Sequence, residues 1–296
     1  MKLLDNLYSD AAIITTLHQQ PLWREFKKEQ WQSTQSAIYT FFLILILHQI
    51  YLYYTKKYQK RMQLTTPKEI MKFSYQATNF TVNLSLGLFG LYTILNAPNP
   101  MSLINPAYES SLLERVTGYN QYANFASYQL AYNIWALPIG LFYVDEAPLM
   151  ILHHISVLTS TSLSCYSNTT YLYASVYIFG LAELSSVPLA IMNYLKENQE
   201  WAKRNFRKGN AIVKVTFAVS FLILRVIVAT PLIMDLIRSS FLVNWTLWSV
   251  WLMGDSSNDI EYFVGIGKAS ICGFNFVLMC CLGFLQVRSN KVEIDR

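Results

Sequence analysis

Seven long apolar stretches dominate the chain and leave it little choice of fold. They are Ala37–Thr55, Ala77–Leu95, Phe125–Val144, Pro148–Tyr166, Thr170–Met192, Ala211–Ile237 and Val264–Gln286. About 20 apolar residues make one helical crossing of a bilayer. Charged residues are 14% of the 296 and hydrophobic residues 53%, where a soluble domain carries roughly 25% charge. That shortage excludes a disordered chain, a nucleic-acid-binding arm and most soluble enzymes. The 20 Tyr and 7 Trp suit a protein with two membrane interfaces to anchor. The fold class that follows is all-α, a polytopic transmembrane helical bundle of about seven spans. Phe241–Met253 is too short to cross. Its Trp245, Trp248 and Trp251 fall on one helical face, as in an interfacial or re-entrant segment.

Residues 1–36 are polar and amphipathic, with Leu3, Leu4, Leu7, Ala11 and Ile14 at helical spacing. They read as a surface-lying segment rather than a cleavable signal peptide. The domain plan is then 1–36, a first transmembrane helix at 37–57, a main transmembrane domain at 58–287, and a tail at 288–296. Fourteen Lys and Arg fall on the side reached after the first span, among them Lys56, Lys57, Lys196, Lys203, Arg204, Arg207, Lys208 and Arg288. Six fall on the N-terminal side. The positive-inside rule places the richer side, and the C-terminus, in the cytosol or matrix.

Ionisable groups inside a span are costly and mark candidate sites. They are His48 in span one, His153 and His154 in span four, Glu183 in span five and Arg225 in span six. At about 1.5 Å per residue, the two histidines, His48 and Glu183 lie roughly 8–13 Å in from the cytosolic side. The long side chain of Arg225 reaches toward Glu183. A histidine oriented by a carboxylate is a general base or acyl acceptor; His153 and His154 with Glu183 are that candidate set. Glu183 and Arg225 as a structural ion pair is the competing reading. No metal is expected, because the histidines lack the i, i+4 spacing that shares one ion. Cys165, Cys272, Cys280 and Cys281 read as small core residues. Lys268 reads as snorkelling to the N-terminal side. Asp145 and Glu146 read as aqueous caps of span four.

The double histidine, the Glu183-Leu184-Ser185-Ser186 turn about thirty residues on, Asn193-Tyr194-Leu195-Lys196 and Leu224-Arg225-Val226 resemble the TLC-domain family. That family includes ceramide synthases, translocon-associated proteins and smaller lipid-handling membrane proteins, and the chain looks closest to the smaller ones. The resemblance runs roughly from Tyr58 to Gln286. It implies a six-helix barrel with a cytosol-opening cavity, here with an extra N-terminal span, in the endoplasmic reticulum. In the ungapped register the synthases' catalytic H-D-x-x-D would fall on Gly180, Leu181 and Leu184, so its histidine and both aspartates are absent.

Three functions follow. The first is lipid binding, sensing or organisation within the barrel, without ceramide-synthase catalysis. The second is a structural accessory subunit of a larger membrane complex, which admits the mitochondrial inner membrane. The third is an N-acyltransferase acting on sphingoid-type bases through His153 or His154, with acyl-CoA as co-substrate held by the cytosolic Lys and Arg. No other cofactor is expected. The expected partners are membrane lipids and other membrane subunits, not nucleic acid. Sequons at Asn168 and Asn244 fall on the N-terminal side, where glycans would exclude a mitochondrial inner membrane.

Overall fold

The computed structural model describes residues 22–62, 64–97, 123–166, 172–197 and 206–232, with 202, 204 and 234 as isolated positions. Among them every regular element is a helix. The expectations for Leu3–Ile14, Asn168, Phe241–Met253, Asn244, Val264–Gln286, Lys268, the last three cysteines and the tail lie outside the described residues.

Helix α1 spans Leu22–Tyr58 and so begins well before Ala37. Helix α2, Pro67–Leu95, starts at a capping box. Thr66 Oγ1 accepts from the Glu69 N–H at 3.1 Å, and Glu69 Oε2 accepts from the Thr65 and Thr66 N–H groups at 2.7 and 3.0 Å. Pro67 costs nothing there, since its missing N–H would have had no helical partner. The Thr65 and Thr66 donors hold the Glu69 carboxyl below the ordinary carboxylate range. Helix α3, Ala123–Ile139, holds Pro138 near its end and runs into a π turn, Gly140–Val144. A proline inside a helix removes one backbone bond and crowds the preceding turn, and the register loosens just beyond it. Helix α4, Pro148–Tyr166, opens on its proline as expected.

The fifth apolar stretch is not one continuous α-helix. It is α5, Leu172–Ile178, then a 3₁₀ turn at Leu181–Ser185, then α6, Ser186–Glu197. Helix α7, Arg207–Phe221, continues as a π segment at Leu222–Ile227.

Trp31–Tyr58, Ala174–Lys196 and Arg207–Leu232 are each long and apolar enough to cross a membrane. The middle one is 61% buried and the last 6%, which puts the broken span at the centre and α7 at the periphery. Helices α2, α3 and α4 carry the polar interior: Thr78, Asn79 and Asn83 on α2, Gln129 and Asn133 on α3, and His154 on α4 are all buried. The 3₁₀ turn lies directly on α2. A Cβ on Gly90 would come within 2.4 Å of the Leu181 nitrogen, so only glycine allows this approach. Leu181 and Leu184 therefore pack on α2, at two positions where the synthase motif would fall. Lys68 pairs with Asp145, and Phe73 meets Tyr194 edge-on, the centroids 5.4 Å apart. The α1–α2 turn, the α3–α4 turn and the end of α6 thus share one end of the bundle, as alternating spans require.

Candidate functional site

The turn between α3 and α4 sends its two acids in opposite directions. Asp145 adopts a left-handed conformation (φ 53°), and its N–H and that of Glu146 both return to the Gly140 carbonyl. Such a cap satisfies backbone groups that the helix end leaves open. Asp145 stays outside with Lys68, whose hydrogen bond and charge hold its carboxyl below the ordinary range. Glu146 folds inward, only 11% of its side chain exposed. It is therefore not the aqueous cap that its loop position implied.

Inside, Glu146 Oε2 accepts from the Tyr75 hydroxyl at 3.0 Å and lies 3.4 Å from His154 Nε2. The other histidine nitrogen, Nδ1, is 2.8 Å from Asn133 Oδ1. The Asn133 amide donates from Nδ2 to the Gln129 carbonyl at 2.7 Å, which fixes its oxygen toward the imidazole. Nδ1 is therefore the protonated donor. Nε2 lies 3.4 Å from the Glu146 carboxylate oxygen and, although buried, makes no hydrogen bond among the described residues.

The second charged group is built by the irregular turns. The 3₁₀ turn carries Glu183 and Ser185, and the π segment opposite carries Arg225. Arg225 Nη2 donates to Glu183 Oε1 at 3.1 Å and to Ser186 Oγ at 3.0 Å, and Nε donates to Ser185 Oγ at 2.8 Å. Ser186 Oγ donates to Glu183 Oε2 at 2.7 Å. In the π register the Val228 N–H bonds Ile223 O at 3.0 Å, and the Leu224 carbonyl is taken instead by the Tyr177 hydroxyl. Glu146, Glu183 and Arg225 each sit on or beside a non-α turn. Such turns occur often at functional sites.

Both groups face one cavity of about 70 Å³, in the half of the bundle nearer the Lys68–Asp145 end. His153, His154, Glu183 and Arg225 line it together. His48 does not. It is buried elsewhere, Nδ1 3.3 Å from Thr78 Oγ1 and its ring against Trp135 with centroids 5.3 Å apart. The carboxylate beside His154 is Glu146, not Glu183, which is committed to Arg225 and Ser186. Among the described residues no three His, Cys, Asp or Glu side chains gather as a metal site.

Amides line much of the rest of the cavity, beside Tyr132 and apolar side chains such as Met150, Val157, Leu189 and Phe217. Gln76, Asn79 and Asn83 of α2 and Gln129 and Asn133 of α3 all line the cavity. Asn79 Oδ1, Asn83 Oδ1 and Gln129 Oε1 are buried and have no hydrogen-bond partner among the described residues. A search confined to ionisable residues missed them. The signal was there: spacings of three and four place all three α2 amides on one helical face, and a spacing of four does the same on α3.

Fold and interior together define an integral helical membrane protein with a polar chamber between its spans. The sequence profile of the TLC domain matches residues 72–288, and the chain belongs to that family. No curated protein and no solved structure matches it significantly.

Proposed function

We propose that this TLC-domain protein binds or senses a lipid within its helical bundle and does not catalyse acyl transfer of the ceramide-synthase type. The observation that carries the reading is how the cavity's polar groups are used. His154 has Nδ1 on Asn133 and Nε2 against Glu146, and Glu183 is held by Arg225 and Ser186. Glu183 is thus committed to Arg225 and Ser186, so the pairing of a histidine with Glu183 that acyl transfer would use is not formed. The amide oxygens of Asn79, Asn83 and Gln129 lack partners among the described residues. Groups set aside in this way are a binding wall. The absent synthase residues and the packing of Leu181 and Leu184 support the same reading. The endoplasmic reticulum, with the C-terminus cytosolic, is the setting the family and the charge distribution favour.

The test is mass spectrometry of lipids that co-purify with the full chain in mild detergent, beside an Ala190→Leu variant. Ala190 is buried and lines the cavity. A lipid retained by the wild type and lost in a folded A190L protein is the expected result. Conversion of acyl-CoA and a long-chain amine to an amide, abolished by His154→Ala or Glu183→Gln, would overturn it in favour of an acyltransferase.

A further inference from the structure

Resting on that lipid-binding reading, the cavity's chemistry narrows what its occupant carries at the polar end. The three unpartnered amide oxygens are all acceptors, so they call for a donor. Each is on a side chain more than nine-tenths buried: Asn79 is 7% exposed, Asn83 6% and Gln129 3%. A buried acceptor left without a donor is costly, and native interiors rarely keep several.

Charge narrows the choice further. Glu183 is neutralised by Arg225, and Glu146 accepts from the Tyr75 hydroxyl at 3.0 Å. Each carboxylate thus has a protein partner before any ligand enters. A phosphate would meet two carboxylates and an arginine already engaged. An ammonium would be desolvated in an interior where Glu183 is already paired with Arg225 and Glu146 already holds the Tyr75 hydroxyl. A neutral hydroxyl group suffers neither penalty. Size agrees: a cavity of about 70 Å³ holds roughly five water-sized groups at ~10–15 Å³ each, close to the three carbons and three oxygens of a glycerol unit. Three acceptors contributed by two helices ask for more than one donor.

We propose that the amide wall formed by Asn79, Asn83 and Gln129 recognises an uncharged headgroup with two or more hydroxyls, of the glycerol type and without phosphate. The same chemistry is offered by a polyol lipid and by a free polyol, and the experiment separates them.

The full chain in nanodiscs would be titrated with four probes: mono-oleoylglycerol, the oleoyl ester of 1,2-propanediol with one hydroxyl fewer, dioleoyl phosphatidic acid and free glycerol. Tryptophan fluorescence and native mass spectrometry give the readouts. Mono-oleoylglycerol should bind most tightly, with the propanediol ester about five- to tenfold weaker, the loss of one neutral hydrogen bond. Asn83→Leu should weaken the first and leave the second nearly unchanged. The ligand-side comparison needs no variant and stands if that one fails to fold. Equal binding of the two esters, or preference for phosphatidic acid, would overturn the headgroup inference while leaving lipid binding in place. Free glycerol binding as tightly as its ester would support the headgroup chemistry and overturn the lipid reading. No binding by any probe would overturn both.

Discussion

Arg225 reaches across from the π segment that continues α7 to Glu183 on the 3₁₀ turn, Nη2 to Oε1 at 3.1 Å, and Ser185 of that turn with Ser186 at the start of α6 completes the shell. The side chains are 22% and 9% exposed, so the pair lies in the interior rather than at a rim. Removing one partner of a buried pair leaves an uncompensated charge and costs about 3–5 kcal/mol. Arg225→Met and Glu183→Gln should each lower the thermal transition of the detergent-solubilised protein markedly. The double variant should recover part of the loss, since it leaves no orphan charge. Fully additive losses in that double-mutant cycle would show that the two side chains do not act on each other.

Tyr177 has a defined task beside this pair. Its hydroxyl occupies the Leu224 carbonyl, which the π register frees by diverting the Val228 N–H to Ile223. Tyr177→Phe removes the donor and keeps the ring. A buried acceptor without a donor costs about 1–3 kcal/mol, so thermal stability should fall by that order. Hydrogen exchange at Val228 should also speed up as the segment loosens. Unchanged stability and exchange would mean that the π register holds itself.

Much of the fold could be read from apolar run lengths, because crossing a bilayer demands them. Pro148–Tyr166 coincides with a helix end to end. Thr170–Met192 did not betray its break. Run length reports total transfer energy, and says nothing of where the backbone changes hydrogen-bond register. Gly180 was the available clue. Within the site, reach and depth brought Glu183 to Arg225. Depth alone misplaced His48, because helices at equal depth need not face one point. Glu146 was hidden by its loop position: its inward turn depends on the left-handed Asp145 and on Gly140, which only the packed structure reveals.

The outer half of that turn gives a pH dependence. Lys68, by hydrogen bond and by charge, lowers the Asp145 carboxyl from its ordinary value of 3.8. A group depressed on folding contributes stability that is present above its unfolded value and lost as pH falls through the folded one. The wild type should therefore lose more stability than Asp145→Asn as pH drops from about 4 downward. Both side chains are well exposed, so the difference should be small and should shrink with added salt. Parallel pH profiles for the two proteins would rule out a contribution from the pair.

Gly140 controls the inner half. A Cβ there would lie 2.6 Å from Glu146 Oε2 and 3.3 Å from the Tyr75 hydroxyl, so alanine and the inward carboxylate compete for one space. Alanine in a helix is otherwise favoured over glycine by about 0.5–1 kcal/mol. Displacing Glu146 forfeits its hydrogen bond from Tyr75, and bonds to charged groups are worth about 1.5–3 kcal/mol. Gly140→Ala should therefore destabilise the wild type by roughly 1–2 kcal/mol, the difference of those terms. In a Glu146→Ala background the carboxylate is gone, and the same substitution should become neutral or stabilising. Thermal unfolding of the four proteins reads this change of sign directly. A loss of equal size in both backgrounds would show that Gly140 is required for the backbone of the π turn, and not for the seat it leaves to Glu146.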